Sequence, residues 1–133
     1  MNTLVEQNPG AAVRPKLLLV EDDAAVRRSL QLLLRGRGYE VRAYESGRQM
    51  LADPTAAEAV CLIADYRMDD MDGLAVLRDL RSRGWHCLAI LITAYDAEEL
   101  TANAREAGFD AVLQKPLRDL ALLELLDRKA RHH

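Results

Sequence analysis

Cysteine, charge of one sign and long apolar runs are all scarce in this chain, and each shortage excludes a class of function. There are 2 cysteines, Cys61 and Cys87, far apart and without a Cys-x-x-Cys pair. Zinc and redox sites need clustered ligands, so both thiols are expected to be small apolar residues buried in strands, reduced as in a cytosolic protein. A net charge of -3 gives no general attraction to nucleic acid or to anionic membranes. No apolar run approaches the ~20 residues of a membrane-spanning helix, and the start lacks a signal peptide's basic head and apolar middle. The expected location is the cytoplasm. Gly36 and Gly38 do not complete a Gly-x-Gly-x-x-Gly fingerprint, because Val41 takes the last place. Asp69, Asp70 and Asp72 do not make an EF-hand calcium loop, which would need an acid where Met68 stands. They are expected to form a solvated loop and a helix start.

What is present is an alternation. The chain has 133 residues, half of them apolar, enough for one domain with a proper core. Residues 1–15 mix Asn, Gln, Pro, Gly and Ala without periodicity and are expected to be a flexible leader, with the folded domain over 16–133. Short apolar segments at Lys16–Val20, Val60–Ala64, Leu88–Ile92 and Ala111–Gln114 read as strands, and Tyr39–Tyr44 as another. Between them lie helical patterns. One carries Val26, Leu30, Leu33 and Leu34 and stops at Gly36 and Gly38. A short one after Ser46 reaches Leu51, and one capped by Asp72 buries Leu74, Leu77 and Leu80 up to Gly84. A fourth spans about Ala97–Ala107 before Gly108, and the last follows Pro116. Alternating βα units imply a parallel sheet with helices on both faces. Ligands of such sheets bind beyond the carboxyl ends of the strands, where strand order reverses.

Polar residues stand at those ends: Glu21-Asp22-Asp23, Asp65, Thr93 and Lys115-Pro116. If Glu21, Asp22 and Asp65 meet, their mutual repulsion calls for a proton or a cation. With oxygen ligands alone, a hard divalent ion is favoured, Mg²⁺ first and Mn²⁺ as a substitute. Magnesium pairs naturally with one or two carboxylates and a phosphate oxygen. A carboxylate can also be the nucleophile of phosphoryl transfer when positive charge offsets the transferred oxygens, and Lys115 supplies it, with Thr93 as a hydroxyl donor.

The ordered set Leu17-Leu18-Leu19-Val20-Glu21-Asp22-Asp23, Asp65 with Met68, Met71, Asp72 and Gly73, Leu91-Ile92-Thr93-Ala94, Gly108 and Lys115-Pro116 resembles the response-regulator receiver domain, the CheY-like family, over about 16–130. The resemblance implies a doubly wound, flavodoxin-like five-stranded parallel sheet of order 2-1-3-4-5 with five helices. It implies a response-regulator role in two-component phosphorelay signalling, with Asp65 taking a phosphoryl group from a histidine kinase or a phosphotransfer protein in a Mg²⁺-dependent reaction. Asp22 then looks like the direct metal ligand, Glu21 a partner acting through water, and the backbone carbonyl of Arg67 a further ligand. Thr93 and Lys115 resemble the phosphoryl contacts, Lys115-Pro116 a cis peptide, and Asp23 a helix cap that stays off the metal. Partner binding would then switch, with the fourth helix, fifth strand and fifth helix as the expected effector face and a homodimer left open. No turnover of an external substrate is expected.

Two departures bear on switching. The family's aromatic on strand five falls at Val112, which lacks size and hydroxyl for an inward swing, leaving Tyr95 as a substitute ring or simply an exposed loop tyrosine. Arg67 and Tyr95 flank the expected water path to the phosphoryl group, so they are expected to slow its hydrolysis, with Arg67 also pairing with nearby acids. In the last helix, Leu117, Leu120, Leu122, Leu123, Leu125 and Leu126 point to every side, so either a wide core face or a partner surface follows. The second would suit a pseudo-receiver that binds partners constitutively. A phosphatase of the haloacid dehalogenase kind is set aside, because it needs a carboxylate where Arg67 stands.

Overall fold

A computed structural model describes residues 14–95 and 97–129. The expected leader therefore lies outside the described residues except for Arg14 and Pro15, and the Pro15 carbonyl accepts the Glu40 amide at 2.9 Å. His132 and His133 also lie outside.

The strands are β1 (Lys16–Val20), β2 (Glu40–Tyr44), β3 (Cys61–Asp65), β4 (Leu88–Thr93) and β5 (Ala111–Gln114). The helices are α1 (Ala24–Gly36), α2 (Gly47–Leu51), α3 (Gly73–Ser82), α4 (Glu98–Ala107) and α5 (Asp119–Lys129), with a 3-10 turn at Ala56–Glu58. All strand pairs are parallel, in the order β2-β1-β3-β4-β5. The order reverses between β1 and β3. This is the doubly wound order that the resemblance implies.

Period-two alternation splits the core into two layers. Leu18, Val20, Leu62, Ala64 and Leu91 face α2, α3 and α4, meeting Met50, Leu77 and Ala104. Leu17, Leu19, Ile63, Ile90 and Ile92 face α1 and α5, meeting Leu34, Leu122 and Leu126. Residues 88–93 are buried throughout, as a central strand covered on both faces must be.

The helix ends follow local chemistry. Asp23 accepts the Ala25 and Val26 amides at 2.9 and 3.1 Å, Ser46 the Gln49 amide at 3.2 Å, and Asp72 the Ala75 amide at 2.8 Å. Gly108 ends α4 at φ 111, a conformation that favours glycine.

The structure moves several boundaries. β3 begins at Cys61 and takes in Asp65, because the ladder with β4 continues to the Asp65–Ile92 pair. β4 takes in Thr93 for the same reason, pairing with Gln114. Tyr39 precedes β2 yet is buried. Cys61 is buried as expected, and burial first, with Asp110 and Cys87 beside it, pushes its thiol up. Cys87 departs from expectation. It lies one residue ahead of β4 and is half-buried. The last helix starts only at Asp119, so Leu117 precedes it; Leu122, Leu123 and Leu126 join the core, and Leu117 and Leu125 pack against it. Only Leu120 of these leucines stands out, at 67% exposed, so the wide core face is what the helix has.

Candidate functional site

The polar ends of β1, β3, β4 and β5 meet at one edge of the sheet. One carboxylate oxygen each from Glu21, Asp22 and Asp65 lies within 4.8 Å of the others. Glu21 is fully buried and Asp65 is 6% exposed, while Asp22 opens to solvent. Lys115 follows β5, where its amide donates to the Thr93 carbonyl at 2.7 Å. Its Nζ lies 2.9 Å from Glu21 Oε1 and 3.3 Å from Asp65 Oδ2. The Lys115–Pro116 bond is cis. Thr93 is 1% exposed, and its Oγ1 accepts the Tyr95 amide at 3.0 Å.

Three carboxylates face one ammonium, and the proton affinities register it. Burial first, then Asp65 beside it, raises the Glu21 carboxyl despite the lowering pull of Lys115. Burial, then Glu21 and Asp69, raises Asp22. Burial alone would lower Lys115, but Glu21 and Asp65 outweigh it and hold the ammonium charged.

Glu21 Oε2 accepts the Asp23 amide at 3.1 Å, whereas Oε1, buried and ion-paired with Lys115, lacks a well-directed hydrogen-bond donor. A buried oxygen short of donors, in an all-oxygen set with excess negative charge, fits a hard divalent cation. Such an ion, or a water it holds, would complete the coordination of Glu21 and screen Asp22 from Asp65.

Around this cup the loops are closely set. A Cβ at Gly73 would come within 2.6 Å of the Asp65 carbonyl oxygen and 2.8 Å of Leu91 Cδ1, so α3 can start this close to β3 only with glycine there. Arg67 is exposed, but its guanidinium lies 4.7 Å from the centre of the Tyr95 ring. Tyr66 meets that ring edge-on at 6.2 Å. Among the described residues Arg67 forms no ion pair, so stacking takes the place of the expected pairing with acids. Val112 is half-buried and packs against the α2–α4 layer. Asp23 caps α1 rather than joining the cup.

Sequence reasoning missed Asp70. Its carboxylate accepts the Arg48 amide at 2.9 Å and the Gly47 amide at 3.4 Å, so it is tied to α2 although it stays partly exposed. No local pattern marks this, because the partners lie 22 and 23 residues away.

Residues 17–127 match the profile of the response regulator receiver domain. The chain belongs to the response-regulator receiver family. It is 35% identical over 127 residues to nodulation protein W of Bradyrhizobium diazoefficiens, covering 91% of this chain and 56% of that one. It is 37% identical over 113 residues to response regulator MprA of Mycolicibacterium vanbaalenii, covering 85% and 48%. The receiver thus spans about half the length of these curated relatives. Among solved structures, chemotaxis protein CheY4 of Vibrio cholerae superposes with a TM-score of 0.82 at 26% identity, covering 88% of this chain and 99% of that one. The Francisella response regulator 1452 receiver domain shares the fold, with a TM-score of 0.83 at 21% identity over 90% and 98%. This is a receiver module of two-component signalling. No helix among its described residues is long and apolar enough to cross a membrane.

Proposed function

We propose that this receiver accepts a phosphoryl group on Asp65 from the phosphohistidine of a histidine kinase or phosphotransfer protein, with Mg²⁺ or Mn²⁺ bound, and switches its affinity for an effector. One observation carries the reading: Glu21, Asp22 and Asp65 gather within 4.8 Å while Lys115 reaches two of the three.

In the transfer, an oxygen of the Asp65 carboxylate attacks phosphorus, the P–N bond of the phosphohistidine breaks, and its electron pair stays on the imidazole nitrogen. Asp22 and Asp65, with Glu21 acting through water and the Arg67 carbonyl as a further ligand, would hold the metal ion, which would supply positive charge to the transferred oxygens. Lys115 supplies the rest from its place over Asp65, and its raised proton affinity keeps it charged. Burial of Asp65 strengthens each of these interactions.

The product carries more negative charge and new acceptor oxygens. Thr93 already receives the Tyr95 amide, and among the described residues no acceptor takes its own proton, so this proton is free for the phosphoryl group. A charge-assisted hydrogen bond of ~1.5–3 kcal/mol shifts a conformer ratio by about 10- to 100-fold. The loop after β4 carries that shift, with Tyr95 as the moving ring in place of an aromatic at Val112. Effectors engage the face of α4, β5 and α5. The module turns over no external substrate and acts in the cytoplasm.

Incubation with Mg²⁺ and phosphoramidate or acetyl phosphate, followed by intact mass measurement, tests this. The expected result is one acid-labile phosphate in the wild type and none in Asp65→Asn. No gain in the wild type would instead identify a pseudo-receiver that binds partners constitutively.

A further inference from the structure

The loop between β3 and α3 is anchored at both ends. Tyr66 donates its amide to the Ile92 carbonyl at 2.9 Å, and Gly73 returns its own to the Tyr66 carbonyl at 2.9 Å. Asp72 is taken up by the Ala75 amide of α3. Between these anchors Arg67 and Asp69 are exposed, and Asp70 is the loop residue whose side chain bonds to another element. The seat it uses is narrow. A Cβ at Gly47 would come within 2.6 Å of Val76 Cγ2 and 2.9 Å of Met71 Cγ, so the start of α2 lies directly against the loop and α3.

We propose that Asp70 is a positioning residue for metal capture, its carboxylate clamping the Arg67-bearing loop to the Gly47 and Arg48 amides so that the loop is set before the ion arrives. This rests on the reading of Glu21, Asp22 and Asp65 as a metal cup. A loop already fixed loses less conformational freedom when a ligand binds. The clamp also occupies a fourth acid on backbone donors: burial alone would raise its carboxyl, but the Arg48 amide, then those of Met71 and Gly47, hold it below the usual range. Linkage then makes the effect mutual: if the clamp favours the ion, the ion must tighten the clamp by the same factor.

Calorimetric Mg²⁺ titration of the full chain and of Asp70→Ala, together with amide hydrogen exchange at Gly47 and Arg48, tests the clamp. Loss of supporting contacts around metal ligands weakens affinity by about 10- to 100-fold, and a loosening near the lower end is expected in Asp70→Ala. In the wild type, Mg²⁺ should slow exchange at Gly47 and Arg48. In Asp70→Ala that exchange should be fast with or without Mg²⁺, while phosphorylation at saturating Mg²⁺ stays at the wild-type rate. Should Asp70→Ala fail to fold, Asp70→Asn, which keeps one acceptor oxygen, is expected to give an intermediate affinity. Folded variants that bind Mg²⁺ as tightly as the wild type, or Gly47 and Arg48 amides indifferent to Mg²⁺, would overturn the clamp alone. A wild type that binds no Mg²⁺ would overturn both the clamp and the metal cup.

Discussion

Each carboxylate of the cup pushes against the others, and this makes the sign of a substitution predictable. Asp22 has a raised proton affinity through burial and through Glu21 and Asp69, so its charge costs stability in the ion-free protein. Asp22→Asn should therefore melt a few degrees higher than the wild type without Mg²⁺, by differential scanning calorimetry, and should lack the rise that Mg²⁺ is expected to give the wild type. A lower melting temperature would show that Asp22 is held by favourable contacts instead. Arg67 and Tyr95 obey a different logic. Their stacking at 4.7 Å, with Tyr66 at the ring's edge, ties the loop after β3 to the loop after β4. Removing both side chains, in Arg67→Ala with Tyr95→Ala, is expected to speed loss of phosphate from Asp65 by opening the path to water. An unchanged rate of acid-labile phosphate loss would reject them as a screen.

Elements meet at the site through backbone approaches that tolerate little change. At Gly73 the atom a methyl group would strike is the Asp65 carbonyl oxygen, which cannot rotate away as a side chain can. Gly73→Ala should cost about 1–3 kcal/mol in urea unfolding and slow phosphorylation as well, since β3 must shift with α3. Arg81 provides the contrast at the other end of the sheet. It donates to the carbonyls of Trp85, Cys87 and Gly108 at 3.2, 2.9 and 2.7 Å and stacks on Trp85, joining the end of α3 to the turns before β4 and β5. Arg81→Met leaves those carbonyls short of a donor and should cost about 1–3 kcal/mol with Mg²⁺ affinity unchanged. A fall in Mg²⁺ affinity would mean that strain travels the length of the sheet. The elements themselves were legible because period and punctuation are local: the caps Asp23, Ser46 and Asp72 lie within three residues of the amides they receive. Arg81 and Asp70 were not legible. Gly108 for Arg81, and Gly47 and Arg48 for Asp70, are backbone partners 22 to 27 residues away that only the completed fold brings close, and no spacing in the chain encodes them. The ends of β3 and β4 were misplaced by one residue because a parallel ladder continues through polar residues whenever its neighbour does.

At the scale of the molecule, the convergence of distant acids follows from topology, since β1 and β3 are adjacent and end on the same edge. What topology leaves open is how the charge excess is carried, and pH separates the contributions. Glu21 and Asp22 have raised proton affinities in the fold, so the ion-free protein is stabilised by holding those protons and loses that stability as pH rises through the raised values. Asp53 acts in the opposite sense. The Tyr44 hydroxyl, then Thr55, lowers its carboxyl to about 2, so its contribution is present above its ordinary value of 3.8 and fades as pH falls toward about 2. On the proposed reading Mg²⁺ would need the cup ionised and would compete with protons for Glu21 and Asp22, so its affinity should fall as pH drops through their raised values. At a fixed concentration near a hundred times Kd at neutral pH, Mg²⁺ should add about 2.7 kcal/mol there and progressively less toward the carboxylate range. Melting curves with and without Mg²⁺ should thus diverge as pH rises and converge in acid. An increment equal at both ends of the range would place the ion away from Glu21 and Asp22, on groups whose proton affinity the fold does not raise.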